Sequence, residues 1–230
     1  MQSVELDRHV VIPEQDVRLE GILEIPASAR GIVVFAHGSG SSRLSPRNQA
    51  VAAGLHEAGL GTLLFDLLTE SETRDRANVF DISLLAARLI AATQWLEQEP
   101  GARGLRIGYF GASTGAAAAL VAASRLGGRV DAVVSRGGRP DLAGASLPGV
   151  RAPTLLIVGG ADQAVLGLNR LALERLECPK RLAIVPGATH LFEERGALEE
   201  VARLAQEWFV RYLAAVDGKA AGRESKGGSR

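Results

Sequence analysis

Residues 105–126 read LRIGYFGASTGAAAALVAASRL. A short, mostly apolar run from Leu105 to Phe110 meets Gly111-Ala112-Ser113-Thr114-Gly115, and an alanine-rich stretch continues from Thr114 to Leu126. The first run has the length and character of a buried strand, and the second those of a helix. No loop separates them, so the chain must reverse within the Gly-x-Ser-x-Gly turn. The two glycines leave room for that reversal beneath a neighbouring strand.

Working outward, the same alternation recurs. Gly31–Ala36 (GIVVFA), Thr62–Phe65, Val130–Val134, Thr154–Val158 (TLLIV) and Arg181–Val185 read as strands. A continuous apolar run such as GIVVFA marks a strand buried in a parallel sheet. Helices are expected from Pro46 through Gln49–Ala58, and over Ile82–Gln98, Ala164–Leu176 and Ala197–Ala215. In Ile82–Gln98, Leu84, Leu85, Leu89, Ile90 and Trp95 supply the apolar stripe. Val4–Pro13 and Val17–Pro26 alternate in polarity around the turn Pro13–Asp16 and predict two antiparallel strands. Leu67–Asn78 is polar and predicts a surface loop. The fold class is therefore α/β: a mostly parallel twisted sheet with two leading antiparallel strands and helices on both faces. Residues 1–217 form one domain in this reading, and the Gly-, Lys-, Arg- and Ser-rich tail, 218–230, is expected to be disordered.

The turn at Ser113 is strained and lifts a hydroxyl to the C-terminal edge of the sheet, with a helix N-terminus facing any anion formed there. The plain alternative is that Ser113 only caps the helix. A serine hydroxyl needs a base to become a nucleophile. Of the four histidines, His9 falls on a strand's solvated face, His56 on a helix surface, and His37 in the loop after GIVVFA. His190, in PGATHLFEE (186–194), follows the last strand on the same edge as Ser113 and is the expected base. The base needs an acid to set its tautomer. Asp162, just past TLLIV, is that acid, and the order Ser113, Asp162, His190 fits the Gly-x-Ser-x-Gly triads. Asp141 and Asp66, after other strands, are rivals, and Asp162 could instead cap the next helix.

These motifs resemble the α/β-hydrolases, and among them the small dienelactone-hydrolase-like proteins. The resemblance covers roughly residues 15 to 215 and rests on FAHGSGSS (35–42), GYFGASTGAA (108–117), VVSRGGRPDLAG (133–144), LLIVGGADQ (155–163) and PGATHLFEE (186–194). It implies the α/β-hydrolase fold and hydrolysis of small carboxylic esters or lactones through an acyl-enzyme, without a cofactor. By analogy with other hydrolases, backbone N–H groups of Thr114 and Ser39 form the oxyanion hole, with Gly40 a close alternative to Ser39. Members are sometimes fused to a phosphoribosyltransferase-like domain, for which 230 residues leave no space. One departure matters. Dienelactone hydrolases proper use a cysteine nucleophile, whereas here Ser113 occupies the turn and Cys178 lies far off, near a helix end. A thioesterase, an acyltransferase, or a catalytically idle binding module remain open alternatives.

Composition narrows the field further. Lys and Arg total 26, as do Asp and Glu, with no basic stripe, so nucleic acid is not an expected partner. A single cysteine rules out an intrachain disulfide, and cysteine and histidine are too few and too scattered for a zinc site. No apolar run reaches the roughly 18 residues of a membrane span. Met1–Arg18 lacks the apolar core of a signal peptide, so a soluble cytoplasmic protein is expected, acting on a small-molecule ester, with a homodimer left open. Arg136–Pro153 is too short for a substantial lid. Arg43 and Arg136 are candidate substrate-binding residues. For Arg136 the competing expectation is a salt bridge to Asp141 or a nearby Glu, and Arg43 invites the same alternative.

Overall fold

The computed structural model describes residues 4–214. The tail expected at 218–230 lies outside them. Strands β1 (Val4–Glu14), β2 (Val17–Pro26), β3 (Gly31–Ala36), β4 (Gly61–Phe65), β5 (Arg106–Ala112), β6 (Ala132–Arg136), β7 (Thr154–Gly159) and β8 (Lys180–Val185) form one eight-stranded sheet. Its order is β1-β2-β4-β3-β5-β6-β7-β8. β1 and β2 pair antiparallel, as do β2 and β4, and every later pairing is parallel. This is the predicted mixed sheet. β3, β4, β6 and β7 are buried along their whole length, as the apolar runs GIVVFA in β3 and LLIV in β7 led one to expect.

Helices α1 (Pro46–Glu57), α4 (Ile82–Gln98), α5 (Thr114–Leu126), α6 (Gln163–Arg175) and α7 (Ala197–Leu213) cover the two faces. One apolar cluster sits between the sheet and α4 and α5, built from Ile32, Val34, Tyr109, Val133 and Leu156 with Leu85, Leu89 and the alanines of α5. Alternate residues of the same strands, Val33, Phe35, Phe110, Val134 and Ile157, face α1 and α7, where Val51, Leu55, Phe209 and Leu213 meet them. Alanine suits α5 because its inner face lies directly on the sheet, with Ala116 through Ala119 fully buried. Ser45 caps α1, and Pro46 occupies its first position, where no backbone donor is needed.

Three local expectations need correction. Leu67–Asn78 is not an irregular loop, for it holds two short helices, α2 (Glu70–Thr73) and α3 (Arg76–Phe80). Thr69 and Glu72 cap each other reciprocally, and Asp75 caps α3. The Thr-x-x-Glu spacing carried that signal, without an apolar period to support it. β6 begins at Ala132 because the Val130 N–H is taken by a turn to the Gly127 carbonyl, so Arg136 ends the strand instead of following it. His56 is no bare surface residue, since its Nε2 bonds Thr62 Oγ1 at 2.8 Å and its Nδ1 faces Glu24. Arg136–Pro153 contains a 3-10 segment, Pro140–Gly149, kinked at Gly144 and packed on α5 and α6, so it forms no lid.

Candidate active site

Ser113 sits between β5 and α5 with φ +50° and ψ −119°, a conformation that side-chain-bearing residues rarely adopt. Its side chain makes no capping bond to α5, which removes the plain alternative for this serine. The strain is held from several sides. Ser113 N–H donates to the Arg136 carbonyl at 3.3 Å, and its own carbonyl accepts from Arg139 N–H at 3.0 Å. The flanking glycines are obligatory. A Cβ at Gly115 would lie 2.1 Å from the Ala36 carbonyl oxygen, and one at Gly111 2.5 Å from Ala116 Cα.

Asp162 and His190 leave the C-terminal ends of neighbouring parallel strands, β7 and β8. Their loops are laced together by Gly160 N–H to the Val185 carbonyl and Ala161 N–H to the Ala188 carbonyl, at 2.8 and 2.9 Å. Asp162 Oδ2 lies 2.8 Å from His190 Nδ1. Asp162 Oδ1 accepts from Val165 N–H at 3.4 Å, so the same carboxylate also caps α6. Phe192, fully buried at φ +55°, anchors the loop just past His190. Thr189 adds a staple to Glu194 through its N–H and hydroxyl. The rival acids are otherwise engaged, Asp141 with Arg139 and Asp66 with Arg43.

Segment 136–139 links the two halves of the site. Arg136 and Arg139 bond the Ser113 backbone, while a Cβ on Gly137 would sit 3.6 Å from His190 Cε1. No hydrogen bond joins the Ser113 hydroxyl to the imidazole.

A cavity of about 480 Å³ opens beside the serine turn. His37, Ser39, Gly40 and Thr114 form one wall, and Leu67, Leu68, Val79 and Leu85 an apolar one. Sequence reasoning missed part of that apolar wall, because α3, which carries Val79, read as loop. Glu72 ties α2 to α4 by accepting from Thr69 and from the buried Arg88 at 2.7 Å. Burial would raise the Glu72 carboxyl, but these hydrogen bonds and the Arg88 charge outweigh it and hold it below its ordinary range.

His37 is a part of the site whose role sequence reasoning left unassigned. Its Nε2 accepts from Leu67 N–H at 3.0 Å, so Nδ1 carries the proton and donates to the Gly38 carbonyl at 3.0 Å. The neutral ring thus pins the β3 loop to the β4 loop. Burial pushes its pKa below the ordinary 6.5. A depressed native pKa means that stability is full above the unfolded pKa and is lost as pH falls through the native one. His37→Asn should therefore narrow its stability deficit relative to the parent between about pH 7 and pH 5 in denaturant titrations. A constant deficit would exclude His37 as the acid-sensitive group.

The Ser39 N–H, expected to face an oxyanion, donates to Thr114 Oγ1 at 3.1 Å. Arg43 lines the cavity and holds Asp66 through both its N–H and its guanidinium. Arg136 makes none of the salt bridges expected for it and does not line the cavity. Its guanidinium is buried, with Nε and Nη1 sealed from solvent, and burial and the neighbouring Arg47 push it down to about 10. Cys178 is buried near Thr154, away from the site, and burial raises its thiol.

The sheet order, the strained serine turn and the acid–imidazole pair at the strand ends define an α/β-hydrolase. The chain belongs to the dienelactone hydrolase family, whose model matches residues 19–216. It is similar to a dienelactone hydrolase from Anabaena variabilis, with 57% identity, a TM-score of 0.88, and coverage of 90% of this chain and 98% of that one. It is also 60% identical over 207 residues to a Mycobacterium tuberculosis protein that carries a provisional phosphoribosyl transferase name. The match takes in 90% of this chain but 47% of that protein, so the chain spans about half the length of this relative. Est1E from Butyrivibrio proteoclasticus shares the fold at 16% identity and a TM-score of 0.77, over 90% of this chain and 99% of that one. Among the described residues no helix is long and apolar enough to cross a membrane.

Proposed function

We propose that the chain hydrolyses small carboxylic esters or lactones through Ser113, His190 and Asp162 by way of an acyl-enzyme. The observation that carries this reading is the 2.8 Å bond from His190 Nδ1 to Asp162. It leaves Nε2 as the free basic nitrogen on the edge where Ser113 is held. His190 takes the Ser113 proton as the hydroxyl attacks the carbonyl carbon. The imidazolium, steadied by Asp162, then protonates the leaving alcohol. Water deprotonated by the same nitrogen attacks the acyl-enzyme and releases the acid. Leu67, Leu68, Val79 and Leu85 offer an apolar wall for a modest acyl or alkyl group, and Arg43 at the cavity's polar side suits a polar substituent. The absence of a lid over residues 136–153 fits small, soluble substrates.

The test is covalent trapping. A fluorophosphonate probe should label the protein stoichiometrically at Ser113, and p-nitrophenyl acetate or butyrate should be turned over. Ser113→Ala should lose both. Labelling at another residue, or turnover that survives the substitution, would defeat the assignment.

A further inference from the structure

The hydrogen bond between Ser39 and Thr114 changes how an anion at this site must be held. Thr114 is the first residue of α5, and its backbone N–H is one of the unclaimed donors of the helix's first turn. Its side chain is buried at 4% exposure, yet it borders the cavity together with Ser39. The hydroxyl accepts from Ser39 N–H across 75 positions of sequence. Among the described residues its own proton has no acceptor. A hydroxyl carries one donor and two lone pairs, so filling a lone pair leaves the donor unspent. The side chain has claimed one of the two expected backbone donors.

We propose that the Thr114 hydroxyl is itself an oxyanion donor, with Ser39 N–H acting through it. The proposal rests on the acyl-transfer reading above. As Ser113 Oγ bonds to the carbonyl carbon, the C=O π pair moves onto oxygen and the serine proton passes to His190 Nε2. The new oxyanion accepts from Thr114 N–H and from the Thr114 hydroxyl, which keeps its proton throughout. Ser39 N–H polarises that O–H, so the donation strengthens as negative charge builds. The arrangement spends no reorganisation at the moment of reaction, because the loop bond is already formed.

Thr114→Val keeps the shape and removes the hydroxyl, while Thr114→Ser keeps the hydroxyl. With p-nitrophenyl acetate, Thr114→Val should lower kcat by about 10²- to 10³-fold at nearly unchanged KM, and Thr114→Ser by only a few-fold. The matched thionoester separates chemistry from scaffolding, because sulfur is a poor hydrogen-bond acceptor. If the hydroxyl acts on the reacting atom, the loss in Thr114→Val should nearly vanish with the thionoester. Equal losses on ester and thionoester would mean that Thr114 only braces the Ser39 loop, and would overturn the proposal. So would an ester rate in Thr114→Val equal to the parent's, and that result would leave the Ser113 reading standing. A parent protein that is neither labelled at Ser113 nor active on the ester would overturn both.

Discussion

His190→Ala should lower kcat on p-nitrophenyl esters by about 10⁴- to 10⁶-fold while leaving the fold intact. The size follows from the nucleophile. A serine hydroxyl at neutral pH is almost wholly protonated, and the imbalance is repaired only while a base accepts its proton. Among the described residues His190 is the imidazole bonded to a carboxylate at this edge, 2.8 Å from Asp162. Its side chain is 40% exposed, so truncation opens no core cavity and the melting temperature should barely move. Asp162→Asn dissects the pair. Asparagine still caps α6, so stability should change by less than about 1 kcal/mol. The imidazole, however, loses the partner that fixes its tautomer, and kcat should fall by about 10⁴-fold. Steady-state kinetics beside thermal melts check both. Near-parental activity in His190→Ala would require another base.

Gly115→Ala should be the most damaging small substitution for stability. The added methyl would lie 2.1 Å from the Ala36 carbonyl oxygen and 2.5 Å from that of His37. Both are backbone atoms at the end of β3, and neither can swing aside as a side-chain tip would. Alanine's better helix propensity, worth up to about 1 kcal/mol, is outweighed by the overpacking. A loss of at least about 3 kcal/mol is expected, or roughly 6–12 °C in Tm for a domain this size. Activity should fall with it, because relief of the clash pushes the Ser39 loop away from Thr114. Gly167→Ala is the internal control. That glycine lies within α6, and its added Cβ meets nothing within 4 Å, so the change should stabilise by about 0.5–1 kcal/mol. Parental Tm in Gly115→Ala would show that the β3 loop yields, contrary to the packing.

Particular residues show how far the chain could be read unaided. The span of α4, Ile82 to Gln98, was legible because Leu84, Leu85, Leu89, Ile90 and Trp95 repeat at helical spacing and pack on one face of the sheet. Helices α2 and α3 were not legible by that route. Neither has a fully buried residue, so hydropathy leaves no period, and only the Thr69–Glu72 capping spacing marks the first of them. His190 and Asp162 were legible because each follows an apolar strand whose C-terminal edge the parallel order dictates. His37 was visible as a loop histidine, but its acceptance of the Leu67 N–H joins loops 30 residues apart that meet once β3 and β4 have paired.

The sequence by itself determined the alternation of strand and helix, the serine turn with its two glycines, and the residues that end up on one sheet edge. Those properties are local, since a buried strand, a capped helix and a Cβ-free turn are each specified within about ten residues. Tertiary structure alone decided which donors and charges meet. It gave Asp66 to Arg43, left Arg136 sealed beside Arg47, and turned the Ser39 N–H onto the Thr114 hydroxyl. A hydrogen bond is settled within a few tenths of an ångström and by direction, and between distant segments that precision exists only once the sheet has assembled and the loops have closed on its edge.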